Sequence, residues 1–132
     1  MDALANRLAD HQIDFALVNA GVYGPQHQTV DEATPEQIGA LVFTNAVAPL
    51  RLARRLLPVV VDGGLLAFMS SRMGSVGDNL SGGMDLYCAS KAALNSLTRG
   101  FAANDVGDRP ISVFNLHPGW VRTGRRRSTS RR

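Results

Sequence analysis

Ile13-Asp14-Phe15-Ala16-Leu17-Val18 runs directly into Asn19-Ala20-Gly21. Six nearly all-apolar residues without helical spacing predict a short strand buried on both faces, as in a parallel sheet covered by helices. The small residues and glycine after it let a flat ligand approach the backbone closely. An ordinary strand-ending turn has the same composition, so the tripeptide alone does not choose between them.

Two later segments repeat the pattern. Gly63-Gly64 reads as a turn into a second buried strand, Leu65-Leu66-Ala67-Phe68-Met69, which ends in Ser70-Ser71-Arg72-Met73-Gly74. Ile111-Ser112-Val113-Phe114-Asn115-Leu116 is a third, ending in His117-Pro118-Gly119-Trp120-Val121-Arg122-Thr123. Between the first two, a polar loop leads to Thr34-Pro35-Glu36-Gln37, a helix start with a Thr N-cap, Pro at the first helical position and Gln completing a capping box. That helix is expected to run to about Leu57, with Ile38, Leu41, Val42, Val47, Leu50 and Leu57 facing the core and a kink at Pro49. Asn45 falls among these apolar positions. A buried Asn needs partners, so it is either a structural bridge or part of a polar network at a site.

Four glycines mark residues 74–86 as a loop. An apolar-periodic helix follows over 87–104, and a short one at 3–10 precedes the first strand. Strands alternating with helices predict an α/β fold, a parallel sheet flanked by helices, with no internal repeat. Ligands of such sheets bind beyond the carboxyl ends of the strands. Asn19–Gly21, Ser70–Ser71 and Pro118–Thr123 all fall there.

The helix over 87–104 opens with Tyr87-Cys88-Ala89-Ser90-Lys91. Residues four apart share a helix face, so the phenol and the ammonium can point into one space. A free phenol titrates near pH ~10, too high for neutral acid–base work, and a cation within ~4–6 Å lowers it. Lys91 is the only lysine; the other 13 basic residues are arginines. A titratable, compact ammonium is kept where the chain otherwise uses guanidinium.

The 132 residues suffice for one domain with a core. The single Cys88 excludes an internal disulfide and a cysteine-rich metal site. No apolar run spans a bilayer and no signal-peptide pattern opens the chain, so a cytoplasmic protein with no membrane partner is expected. The net charge of +3 comes from five arginines within residues 124–132; without them the rest carries −2. Such an Arg/Ser-rich tail can bind nucleic acid or anionic lipid, but a solvated, disordered tail is the simpler reading and no nucleic-acid partner is expected.

Taken in order, Asn19-Ala20-Gly21, Asn45 in Phe43-Thr44-Asn45, Ser70-Ser71 with Gly74, Tyr87-x-x-x-Lys91 and Pro118-Gly119 with Thr123 resemble the short-chain dehydrogenases/reductases. These are Rossmann-fold oxidoreductases using NAD or NADP. The resemblance covers residues 1–123, and the loop from Arg72 to Gly83 resembles the carbonyl-reductase and C-factor-like branch. It implies interconversion of a small-molecule carbonyl and alcohol by hydride transfer. Tyr87 would give or take the proton. Lys91 would lower the phenol and hold the nicotinamide ribose. Ser71 would hydrogen-bond the substrate oxygen, and Asn45 would anchor a relay water. Asn19, Ala20 and Gly21 would line the adenosine side of the cleft. Pro118, Gly119, Val121 and Thr123 would meet the nicotinamide carboxamide. Ser70 and Ser75 remain alternatives for the serine, because Ser71 stands sixteen residues before Tyr87 where the family has about a dozen. The family also pairs through the helices equivalent to 35–57 and 87–104, which implies a homo-oligomer.

The sequence departs from the family at both ends. A strand followed by a Thr-Gly-x-x-x-Gly-x-Gly turn, which binds pyrophosphate at a helix N-terminus, is missing before residue 3. After Thr123 the chain turns into Gly, Arg, Ser and Thr instead of a substrate loop and last strand. A partial Rossmann fold truncated at both ends is therefore expected. Its first strand would lack a neighbour and expose an apolar edge. The alternative function is a catalytically inactive fragment acting through a partner chain.

Overall fold

The computed structural model describes residues 2–119. Val121, Thr123 and the 124–132 tail lie outside the described residues. Three parallel strands form one sheet: β1 (Ile13–Val18), β2 (Val60–Met69) and β3 (Ser112–Leu116), in the spatial order β1-β2-β3. The helices are α1 (Asp2–Arg7), α2 (Pro35–Val42), α3 (Ala48–Leu56) and α4 (Asp85–Phe101). β1 has no second neighbour among the described residues. None of the described helices is long and apolar enough to cross a membrane.

The strands pair in register, Val18 with Phe68 and Phe68 with Asn115. Alternation along each strand then sorts the side chains onto two faces. On one, Val18, Leu66 and Phe68 join Ala46, Leu50, Ala53, Leu94 and Phe101 in the core. Phe68 and Phe101 meet edge-on at 6.2 Å. The other face carries Phe15, Leu17, Phe114 and Leu116, exposed by 57, 40, 48 and 37%. The expectation of a strand buried on both faces is thus corrected: among the described residues β1 is covered on one side only. Its apolar composition answers to two faces, and α3 packs against only one.

Two further differences have local causes. Gly63-Gly64 is not a turn before β2 but a bulge inside it, because Ile13 pairs with Val60 while Phe15 already pairs with Leu65. Gly63 takes φ +83°, and a Cβ on Gly64 would lie 2.7 Å from the Val61 carbonyl oxygen. The Gly63 N–H donates to Pro110 O at 2.7 Å, and the Arg109 guanidinium donates to Leu57 O and Val60 O, which fastens the bulge. Nor is the segment 35–57 one kinked helix. It starts with the expected capping box at Thr34 and Gln37, then passes through a π-turn over Phe43–Val47. Pro49 has no N–H to give to Asn45 O, and just before it the ladder slips so that Ala48 N–H donates to Phe43 O. Within that π-turn Asn45 is fully buried.

Candidate active site

α4 begins two residues earlier than the spacing suggested, which places Tyr87 in its first turn. Gly82, Gly83 and Met84 approach it in three successive left-handed conformations, with φ 66, 80 and 52°. Glycine adopts these freely, whereas Met84 pays about 1–2 kcal/mol for its Cβ. Met84 offers no capping side chain. The first-turn donors go instead to Gln28, in the loop after β1. Leu86 N–H donates to Gln28 O at 3.2 Å and Tyr87 N–H to Gln28 Oε1 at 2.9 Å. Gln28 Nε2 donates back to Pro25 O at 2.7 Å and Tyr23 O at 3.2 Å. The rings of Tyr23 and Tyr87 stack with centroids 5.8 Å apart.

One helical turn further on, Lys91 is 3% exposed and its Nζ donates to Met69 O at 2.8 Å, at the carboxyl end of β2. The ammonium lies 5.8 Å from the Tyr87 ring centroid. Gly21, beyond the end of β1, closes the same space: a Cβ there would stand 3.4 Å from Lys91 Nζ and 3.5 Å from Asn45 Oδ1. Asn45 Oδ1 accepts from Val22 N–H, and its Nδ2 donates to Val22 O and to Ser90 Oγ at 3.0 Å. Ser90 Oγ in turn donates to Tyr87 O at 2.8 Å. Asn45 is therefore both things left open by the sequence: a bridge holding the strand-end loop, and a member of the polar network beneath Tyr87.

The serines separate by direction. Ser70 is buried and donates to Asn95 Oδ1 at 2.7 Å. Ser75 accepts from the Asp78 N–H. Ser71 accepts from Met73 N–H at 3.1 Å and lines the same cavity as Tyr87, close enough to lower the phenol. Ser71, Tyr87, Tyr23, Met73, Met84 and His117 line a cavity of about 600 Å³, with Gly119 at its edge. Asn19, Ala20, Pro118 and Gly119 are exposed at the same end of the sheet.

Electrostatics depart from expectation at one point. Burial raises the Tyr87 phenol above its ordinary value, and the Ser71 side chain only partly offsets this. Burial also lowers the Lys91 ammonium. The Lys91 ammonium sits over the ring face, 5.8 Å from its centroid, and donates to Met69 O. Sequence reasoning missed Gln28, Tyr23 and Ser90. Ser90 lies inside the motif and could have been suspected from its hydroxyl among apolar neighbours; nothing in the sequence signalled Gln28.

A buried lysine and a cavity-lining tyrosine at the carboxyl end of a parallel sheet mark the candidate site of an α/β protein. The short chain dehydrogenase model matches residues 1–132, and the chain belongs to that family. It is 37% identical over 126 residues to the C-signal of Myxococcus xanthus, covering 93% of this chain and 74% of that one. It is 35% identical to the 1-hydroxy-2-glutathionyl-2-methyl-3-butene dehydrogenase of a Rhodococcus species, covering 93% of this chain and 54% of the other. A carbonyl reductase from Pseudomonas aeruginosa in complex with NADP superimposes with a TM-score of 0.85 at 51% identity, covering 93% of this chain and 53% of that one. The chain thus spans about half the length of two of these three proteins. The fold is the corresponding part of a Rossmann-like α/β domain.

Proposed function

We propose that this chain carries the acid–base half of an NAD(P)-dependent oxidoreductase that interconverts a small-molecule carbonyl and its alcohol in the cytoplasm. The observation that carries the reading is the placement of Ser71 and Tyr87 on one cavity wall, with the buried Lys91 ammonium 5.8 Å from the Tyr87 ring and Asn45 buried behind them. The Tyr87 phenol donates its proton to the carbonyl oxygen as the carbon is reduced, and accepts it from the hydroxyl in the reverse direction. Ser71 hydrogen-bonds the same oxygen and stabilises its developing charge. Asn45 fixes the floor of the site through Val22 and Ser90 and would anchor the relay water there.

The residues present fit the nicotinamide side of a dinucleotide. Gly21 leaves no side chain between the strand end and Lys91, and Met69 O accepts one Lys91 N–H, so the remaining ammonium donors would serve ribose hydroxyls. Asn19 and Ala20 would line the adenosine side, and Pro118 and Gly119 the carboxamide side; Val121 and Thr123, expected there too, lie outside the described residues. The bound nicotinamide supplies or takes the hydride. Residues 1–123 form this domain and 124–132 an appended tail. Copies of the chain associate through the segments 35–57 and 87–104, where Phe43 and Leu97 are each 42% exposed.

The test is titration of the purified chain with NADH and NADPH, followed by nicotinamide fluorescence. Saturable binding weakened by Lys91→Ala supports the reading, as does carbonyl reduction lost in Tyr87→Phe. The second reading, an inactive fragment working through a partner chain, is favoured by the half-length match to the Pseudomonas reductase. Folded protein that binds neither nucleotide selects it.

A further inference from the structure

We propose that Gln28 is a positioning residue for Tyr87, a staple that sets the phenol in the cavity by capping its helix from another part of the chain. The inference rests on the reading of Tyr87 as the proton-transfer residue. An α-helix leaves its first N–H groups without intrahelical partners, and a side chain at the N-cap normally takes one. Met84 cannot do so. Gln28 instead receives two of these donors, Leu86 N–H on its carbonyl and Tyr87 N–H on its side-chain oxygen. Its amide nitrogen meanwhile holds the Tyr23 and Pro25 carbonyls. One side chain therefore fixes the backbone of both tyrosines whose rings stack at the cavity wall. These two are the only tyrosines in the chain. Fifty-nine residues separate Gln28 from Tyr87, so the contact belongs to the folded state alone.

Amide exchange by NMR on the full chain tests this without turnover. In wild type the Leu86 and Tyr87 amides should be protected although both lie in a first helical turn. Gln28→Met, which keeps bulk and removes the side-chain hydrogen bonds, should speed Tyr87 amide exchange by roughly tenfold. It should leave Leu86 protected, because that donor uses the Gln28 backbone. Gln28→Glu restores an acceptor and should restore Tyr87 protection. In a Tyr23→Phe background, where Tyr87 is the sole phenol, absorbance titration should shift toward the ordinary value of 10.0 in Gln28→Met as the ring loosens. Unchanged Tyr87 exchange and an unchanged phenol titration in folded Gln28→Met would overturn the proposal. A Gln28→Met that fails to fold leaves the decision to the wild type, where a fast-exchanging Tyr87 amide overturns it and a protected one supports it. Loss of the acid–base reading would show separately, as turnover retained in Tyr87→Phe.

Discussion

Tyr87 and Lys91 answer to pH in opposite directions. The Tyr87 phenol is raised, so the folded chain keeps that proton after the unfolded chain releases it. The resulting stabilisation is complete below pH 10.0 and is lost as pH rises through the folded value. Lys91 is lowered; its contribution is full above 10.5 and falls away as pH drops through its folded value. Lys91→Met should therefore gain stability over wild type at neutral pH, with the gap narrowing toward pH 10.5, as followed by urea unfolding across pH. A gap that widens with pH would refute the sign. At Asn45 the expected effect is larger. Asn45→Ala strips partners from Val22 N–H, Val22 O and Ser90 Oγ, and should destabilise by about 2–4 kcal/mol in urea melts. At this scale the sequence revealed the pair Tyr87 and Lys91 because helical spacing brings them together unaided. It hid Gln28 and Tyr23, whose roles depend on a loop folding across the start of a distant helix.

Among the elements, the contact between α4 and the 3-10 turn Arg72–Gly74 decides where Ser71 stands relative to Tyr87. Gly74 is its tightest point, since a Cβ there would lie 2.8 Å from the Lys91 carbonyl carbon and 2.9 Å from Lys91 Cβ. Gly74→Ala should lower the melting temperature and push Ser71 away from Tyr87. Under the proposed function, carbonyl reduction should then fall more in kcat than in KM; an unaltered kcat would show that the turn can yield. Met84→Gly should do the reverse for stability, gaining about 1 kcal/mol by removing a left-handed Cβ. Strand and helix identities were readable from periodicity and from the Thr34 capping box. The bulge at Gly63-Gly64 and the π-turn at Asn45 were not, because each is set by register against a neighbour rather than by its own composition.

For the whole molecule, the main consequence is one-sided covering. Phe15, Leu17, Phe114 and Leu116 present a contiguous apolar surface on one face of the sheet. Surfaces of this kind bind hydrophobic dyes and other chains. The chain should bind anilinonaphthalene sulfonate while fully folded, and Phe15→Lys with Phe114→Lys should cut that fluorescence several-fold without loss of helix signal. Equal fluorescence in the double variant would place the dye elsewhere. The parallel α/β design could be read from alternating segments, but which face lacked cover could not, because an apolar strand looks alike whether its second face is covered or bare.

The all-parallel sheet also dictates how the chain must assemble in time. Every ladder contact joins residues roughly fifty positions apart, Val18 to Phe68 and Phe68 to Asn115, and the described sheet contains no hairpin. Loop closure must therefore precede any pairing, and β2 belongs to both ladders. Folding should begin with helical turns and wait for β2 to dock, a slow order of events in which the strands stay open to chaperones longest.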